Sequence, residues 1–151
     1  MQIPPEQTAL VFTGEFRPSL DEKKRLTIPS RWRNESLQEL FIIKSPSRGC
    51  LSAMPQPVLQ EFGSKAASQA PTLEAHQAFL DHFFASAVIC PVDSAGRIIL
   101  SEDLCRFAGI RKQVVLAGGD TKFDLWSPEA WEARQKATSA NYETILKSIG
   151  L

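Results

Sequence analysis

Residues 19–28 read SLDEKKRLTI, and residues 91–100, 72 positions later, read PVDSAGRIIL. Superposing the two segments puts Asp21 on Asp93, Arg25 on Arg97, Leu26 on Ile98 and Ile28 on Leu100. An aspartate and an arginine four residues apart therefore recur inside one apolar frame. A single D-x-x-x-R is common in any sequence, but two in register with matching apolar neighbours point to an internal repeat. The same offset sets Phe12 on Phe84, Ile42 and Ile43 on Val114 and Val115, Leu51 on Phe123, Met54 on Trp126 and Leu59 on Trp131. The chain is expected to hold two copies of one unit.

Each copy has the same grammar. A strand (12–20; 88–92) runs into a polar four-residue turn (DEKK; DSAG) and returns as a short strand (25–28; 97–100), which reads as a hairpin. A short helix follows, with Pro29 suited to a first helical position in copy one, and Ser101 to an N-cap and Gly109 to a terminator in copy two. A second hairpin then joins LFIIK to CLSAM, or QVVLA to FDLW through GGDTK, where the glycines are expected to supply the turn. Ser127, Pro128 and Glu129 read as the start of a C-terminal helix, along which Trp131, Thr138, Tyr142, Ile145 and Ile149 recur at helical spacing. Between the copies, residues 58–68 and 73–87 read as two helices separated by Pro71, with Leu73, His76, Leu80, Phe83 and Ala87 on one face. The chain divides into an extension (1–11), a first half (15–58), a helical connector (59–86), a second half (87–130) and a terminal helix (131–151).

Composition bounds the function. The 151 residues include 17 Lys+Arg and 17 Asp+Glu, so the net charge is zero and no global field draws the chain to nucleic acid or membrane. Any DNA-binding charge must be local. The longest mostly apolar stretch, 79–90, is interrupted by Asp81 and His82 and falls short of the roughly 20 residues a membrane helix needs. The opening MQIPPEQTAL lacks the basic start and apolar run of a secretory signal, so a cytoplasmic location is expected. Cys50, Cys90 and Cys105 are odd in number and have no C-x-x-C spacing, and read as reduced, packed thiols.

No catalytic constellation emerges. His76 and His82, six positions apart on a helix, diverge by about 240° and cannot share a metal from one face. There is no G-x-S-x-G elbow, and Gly118-Gly119-Asp120 precedes a strand where a phosphate loop would need a helix N-terminus. No enzyme activity, cofactor, metal or small-molecule substrate is expected. For Asp21 and Asp93 the preferred role is to accept bonds from their own turns, and Arg97 is expected to pair with Asp93, while Arg25 belongs to the basic stretch of the first hairpin. Trp32 reads as a packing anchor in preference to a base-stacking platform.

Charge separates the copies. From Arg17 to Arg33 six basic residues (Arg17, Lys23, Lys24, Arg25, Arg31, Arg33) stand against Asp21 and Glu22, a net +4. The matching window 89–105 has Arg97 against Asp93, Glu102 and Asp103, a net −2. Phosphate contacts supply most of the affinity in nucleic-acid binding, so the first hairpin is expected to face DNA and the second to be chiefly structural.

The segments VFTGEF, LDEKKRLTIPSRWR, VDSAGRIIL and VVLAGGDTKFDLWSPEAW resemble the MraZ family, whose members carry two tandem AbrB-type swapped-hairpin halves. The resemblance runs from Phe12 to about Trp131. It implies a mainly β fold with flanking helices, built as a double-split β-barrel in which the halves interlock. It further implies ring-like homo-oligomers that bind double-stranded DNA at promoter repeats of a division and cell-wall gene cluster, hence a nucleoid-associated regulator. Carried over position by position, Arg25 and Arg97 match the two motif arginines, with Lys23, Lys24, Arg31, Arg33 and Arg17 around the first. Lys24 stands where the family usually has a turn glycine, so either a side-chain-bearing residue takes a conformation that favours glycine or the turn type has changed. A protein-binding, antitoxin-like module is the alternative class; it would ordinarily need one half and a flexible acidic tail.

Overall fold

A computed structural model describes residues 10–151, so most of the expected N-terminal extension lies outside the described residues. Eight strands appear: β1 (Glu15–Phe16), β2 (Arg25–Thr27), β3 (Glu39–Ser45), β4 (Cys50–Met54), β5 (Val88–Pro91), β6 (Arg97–Ile99), β7 (Val115–Gly119) and β8 (Lys122–Trp126). The helices are α1 (Gln56–Gln69), α2 (Leu73–Phe79), α3 (Glu102–Ala108), α4 (Pro128–Ser139) and α5 (Tyr142–Ser148). Six strands form one antiparallel sheet in the order β1-β7-β8-β4-β3-β5, and β2 and β6 form a separate two-stranded ribbon.

The ribbon corrects the hairpin reading. Each D-x-x-x-R turn closes on itself, with Asp21 N–H donating to Arg25 O (3.1 Å) and Asp93 N–H to Arg97 O (2.9 Å). Beyond the turn the arms separate: β1 pairs with β7, β5 with β3, and β2 crosses to β6 of the other copy. A three-residue strand cannot cover its own apolar side chains. Paired across copies and laid over the sheet, Leu26, Ile28, Ile98 and Leu100 all become fully buried against Leu40, Ile42, Leu51, Phe123 and Leu125. Sheet and ribbon are distinct hydrogen-bonded units, so the strands do not close a barrel by hydrogen bonds alone.

The registers define a pseudo-twofold axis. Arg25 lies opposite Ile99, Leu26 opposite Ile98 and Thr27 opposite Arg97. In the sheet, Leu51 lies opposite Leu125, Ser52 opposite Asp124 and Ala53 opposite Phe123. Exchanging residues by 72 positions maps both ladders onto themselves, so the axis passes between Leu26 and Ile98 and between Ser52 and Asp124. The offset is not constant, however. Phe16 lies opposite Leu116, while its counterpart Val88 lies opposite Ile42, so Ile42 corresponds to Leu116 and not to Val114. Copy two has the full helix α3 where copy one has a single 3-10 turn, Ser30–Trp32, preceded by Pro29. The register recovers because only Asp120 and Thr121 link β7 to β8, where four residues link β3 to β4.

That β7–β8 turn also differs from its reading. Asp120, not a glycine, takes the left-handed conformation (φ 70°), while Gly118 and Gly119 end β7. Gly118 is needed for a close approach: a Cβ there would sit 2.5 Å from Phe12 O. Phe12 and Phe16 meet Trp32 edge-on at 5.6 and 5.0 Å, and Trp32 Nε1 donates to Thr13 O at 2.9 Å, so Trp32 is the expected packing anchor.

Helices cover the outer face of the sheet. On one half, Phe62 of α1 and Phe83 and Phe84 of the π turn Leu80–Phe84 cover Ile43, Met54 and Leu59. Of the expected helical face, His76, Leu80, Phe83 and Ala87 are half-buried, the wide π turn adds the adjacent Phe84, and only Leu73 at the start of α2 departs from it, 89% exposed. On the other half Trp131 of α4 packs on Trp126 at 5.7 Å. The terminal helix breaks at Ala140–Asn141 into α4 and α5, and Tyr142, Ile145 and Ile149 are exposed. Between the covered halves, buried Asp124 accepts from Ser52 Oγ (2.6 Å), Lys122 Nζ (2.8 Å) and Arg48 Nη1 (2.9 Å), and Arg48 lies over Trp126 at 5.2 Å. Burial raises the pKa of this carboxyl, but the bonds from Lys122 and Ser52 and the charges of Lys122 and Arg48 outweigh it, holding it below the usual aspartate value.

Candidate nucleic-acid interface

The two D-x-x-x-R turns are near-copies. Asp21 Oδ1 accepts from the N–H groups of Lys23 and Arg25 (both 2.9 Å), and Oδ2 from Arg25 Nε (2.5 Å). Asp93 Oδ1 accepts from the N–H groups of Ala95 (2.9 Å) and Arg97 (2.8 Å), and Oδ2 from Arg97 Nε (3.0 Å). The backbone N–H of the arginine, aided by its side chain, holds each carboxyl below its ordinary pKa. Each carboxylate thus fixes an arginine through Nε, leaving both terminal nitrogens of the guanidinium for a ligand, and a pre-positioned fork loses little entropy on binding.

Alternation along the ribbon decides which side these arginines occupy. Leu26 and Ile98 are buried inward, so Arg25, Thr27, Arg97 and Ile99 share the outer face. The arginine side chains are 31% and 33% exposed, and Ile99 is 61% exposed. The ion pairs do not distinguish the two hairpins. Arg97 does pair with Asp93, but Arg25 pairs with Asp21 in the same way, and both lie on one face.

Interlocking also redistributes the charges counted along the sequence. Lys23 and Lys24 sit exposed on the first turn, and Lys24 lines a depression with Arg106, Arg111 and Cys105 of copy two. Arg17 and Arg31 border a second depression that includes Thr27, with Arg17 Nε bonded to Glu15 at 3.0 Å. Arg33 leaves its own turn altogether and lies across Gly96 of the second turn, its Nε buried without a hydrogen-bond partner among the described residues. The six basic residues are thus spread over both turns and the depression beside Thr27. Sequence reasoning missed Thr27 and Ile99 on the ribbon and Arg106 and Arg111 beside the first turn. The alternation in RLTI and RIIL was the available signal for the first pair.

The position of Lys24 explains its tolerance. It takes φ 62°, matching φ 78° at its counterpart Gly96. A Cβ on Gly96 would stand 1.8 Å from Arg33 Nη1, whereas Cys105, the counterpart of Arg33, is small and leaves room beside Lys24. A small residue on one partner accompanies a large one on the other at both turns.

Among the described residues no group of three His, Cys, Asp or Glu could hold a metal, and no helix is long and apolar enough to cross a membrane. Burial pushes the thiols of Cys50 and Cys90 up to about 11, which makes them poor nucleophiles at neutral pH.

Comparison with known proteins agrees with the tandem motif. Residues 83–148 match the family model described as "MraZ protein, putative antitoxin-like". The "Transcriptional regulator MraZ" of Desulforamulus reducens is 34% identical over 139 residues, covering 92% of this chain and 97% of the relative. That of Leuconostoc citreum is 35% identical over 141 residues, covering 92% and 96%, and that of Pelotomaculum thermopropionicum is 34% identical over 139 residues, covering 92% and 95%. With identity at this level spread across both copies and their connector, the chain belongs to the MraZ family.

Proposed function

We propose that this chain is a transcriptional regulator that binds double-stranded DNA through the outer face of the β2–β6 ribbon, with Arg25 and Arg97 as paired contacts. The observation that carries the reading is the presence of two aspartate-buttressed arginines, alike in geometry, on one exposed face. The relatives' shared name supports it. A two-stranded ribbon fits the major groove of B-DNA, where an arginine fork can bond guanine O6 and N7. Lys23 and Lys24 on the first turn, Arg17 and Arg31 around the depression that includes Thr27, and Arg33 beside Gly96 would supply phosphate contacts around it.

The finer expectations of the resemblance belong to the same proposal. Ribbon and sheet enclose the core as a double-split barrel, and several subunits join in a ring. A chain of zero net charge binds one element weakly, so linked subunits on repeated promoter elements raise the effective concentration. The targets would be repeats upstream of a division and cell-wall gene cluster, read at the nucleoid in the cytoplasm.

The test is fluorescence anisotropy with DNA recovered from a random pool by the purified chain. Arg25→Ala and Arg97→Ala should each weaken binding, by about 1–3 kcal/mol if the side chain reaches a guanine edge. The turn ion pairs are exposed, so folding should change little. Loss of binding in one variant and full retention in the other would refute the shared face and restore the division of labour between hairpins. No binding by the wild-type chain would refute the DNA reading itself.

A further inference from the structure

The outer face of the ribbon is symmetric in its arginines and asymmetric in one other pair. Exchange by 72 positions turns Arg25 into Arg97, and it turns Thr27 into Ile99. Ile99 is therefore a branched hydrocarbon, 61% exposed, standing opposite Arg25 on a face that otherwise carries arginine and threonine. The inward side of β6 is already fully used by Ile98, so nothing in the core requires an apolar residue at 99. The side chain faces the same way as the two fixed guanidinium groups, and that charge suits a polyanion over an apolar protein surface.

Resting on the DNA reading above, we propose that Ile99 is a specificity-determining residue that packs on the 5-methyl group of a thymine in the major groove. The thymine methyl is the one apolar feature on the base edges there. Directly opposed residues on an antiparallel pair have Cβ atoms about 5 Å apart, so Ile99 would contact a base close to the one bonded by Arg25. Thr27 offers a hydroxyl as well as a methyl beside Arg97. The two ends of a pseudo-symmetric ribbon thus read different chemistry, and the DNA element acquires a direction.

The experiment uses the full chain and a duplex recovered from a random pool, with each thymine replaced singly by deoxyuridine, which removes only the methyl. Wild-type protein should bind one such duplex about three- to fivefold more weakly, the factor expected for one methyl group of buried apolar contact. Ile99→Ala should bind the thymine and deoxyuridine forms of that duplex equally, and Ile99→Val should keep part of the difference. If no single replacement matters while Arg25→Ala still weakens binding, the thymine contact is wrong and the DNA reading stands. A recovered element without thymine in the protected region, or an Ile99→Ala variant that changes oligomeric state and leaves the thymine preference intact, also overturns it. A chain that binds no DNA overturns both.

Discussion

Gly96 and Arg33 make a sharp test of how the two copies interlock. Replacing Gly96 by alanine has two separable effects. Alanine must hold φ near 78°, the left-handed region, at a cost of about 1–2 kcal/mol. Its Cβ would also lie 1.8 Å from Arg33 Nη1, 2.3 Å from Cζ and 2.7 Å from Nε, far inside the roughly 3.5 Å of ordinary contact. The guanidinium must therefore leave the turn, with a loss on the order of 1 kcal/mol, comparable to one buried methylene. Gly96→Ala is expected to cost about 2–3 kcal/mol in total. In an Arg33→Cys background, which reproduces the Cys105 arrangement beside Lys24, only the backbone cost of about 1–2 kcal/mol should remain. Urea unfolding of the four proteins at one fixed concentration closes the cycle, and the coupling should be about 1 kcal/mol, above the 0.3–0.5 kcal/mol scatter of independent sites. Equal costs in the two backgrounds would refute the packing of Arg33 on the opposite turn.

Four further outcomes follow from the same structure. The Asp124 carboxyl has a lowered pKa, so its contribution is complete above the unfolded value of about 3.9 and is lost as pH falls through its folded value; Asp124→Asn should lower stability at pH 7 and flatten the acid limb of a stability–pH curve, and parallel curves would count against it. Residues 1–70 alone should give no cooperative monomeric unfolding transition by circular dichroism, because β2 would lose β6, and Leu26 and Ile28 their cover. Ser101→Ala should cost about 1 kcal/mol by thermal denaturation, since Ser101 Oγ accepts from Leu104 N–H at the start of α3; an unchanged midpoint would show the cap to be replaceable by water. A Thr27→Ile variant should make the ribbon face symmetric and shift DNA selection toward inverted repeats, and an unchanged recovered element would refute the role of that pair.

What could be read along the chain was what is local. The carboxylate of Asp21 bonds groups two and four residues on, so the turn, its ion pair and the strained position at Lys24 are all written within five residues. The caps at Ser101 and Ser127 are equally local. Strand partnership is not. RLTI can satisfy its alternation against any neighbour, and only the need to cover Leu26 from outside its own hairpin sends β2 to β6. That exchange also carried Arg33 away from the window in which its charge was counted and brought Arg106 and Arg111 to the first turn. A charge sum over consecutive residues cannot see which charges come to share a surface. The offset failed at β7 for a related reason: a longer helix and a shorter turn cancel in length, and a fixed comparison sees only the cancelled result.

Ser52 and Asp124 face each other where the pseudo-twofold axis crosses the sheet. In a true dimer of identical halves, a residue at that point meets its own copy. Two aspartates there would repel across a buried gap, and two serines would give Arg48 no carboxylate to hold. One hydroxyl donating to one carboxylate at 2.6 Å is possible only when the two halves are encoded separately. Joining the halves in a single polypeptide thus did more than raise their local concentration. It released the axial position from self-complementarity, and with it every other pair that symmetry would have forced to match, including the lysine and glycine of the two turns and the threonine and isoleucine of the ribbon.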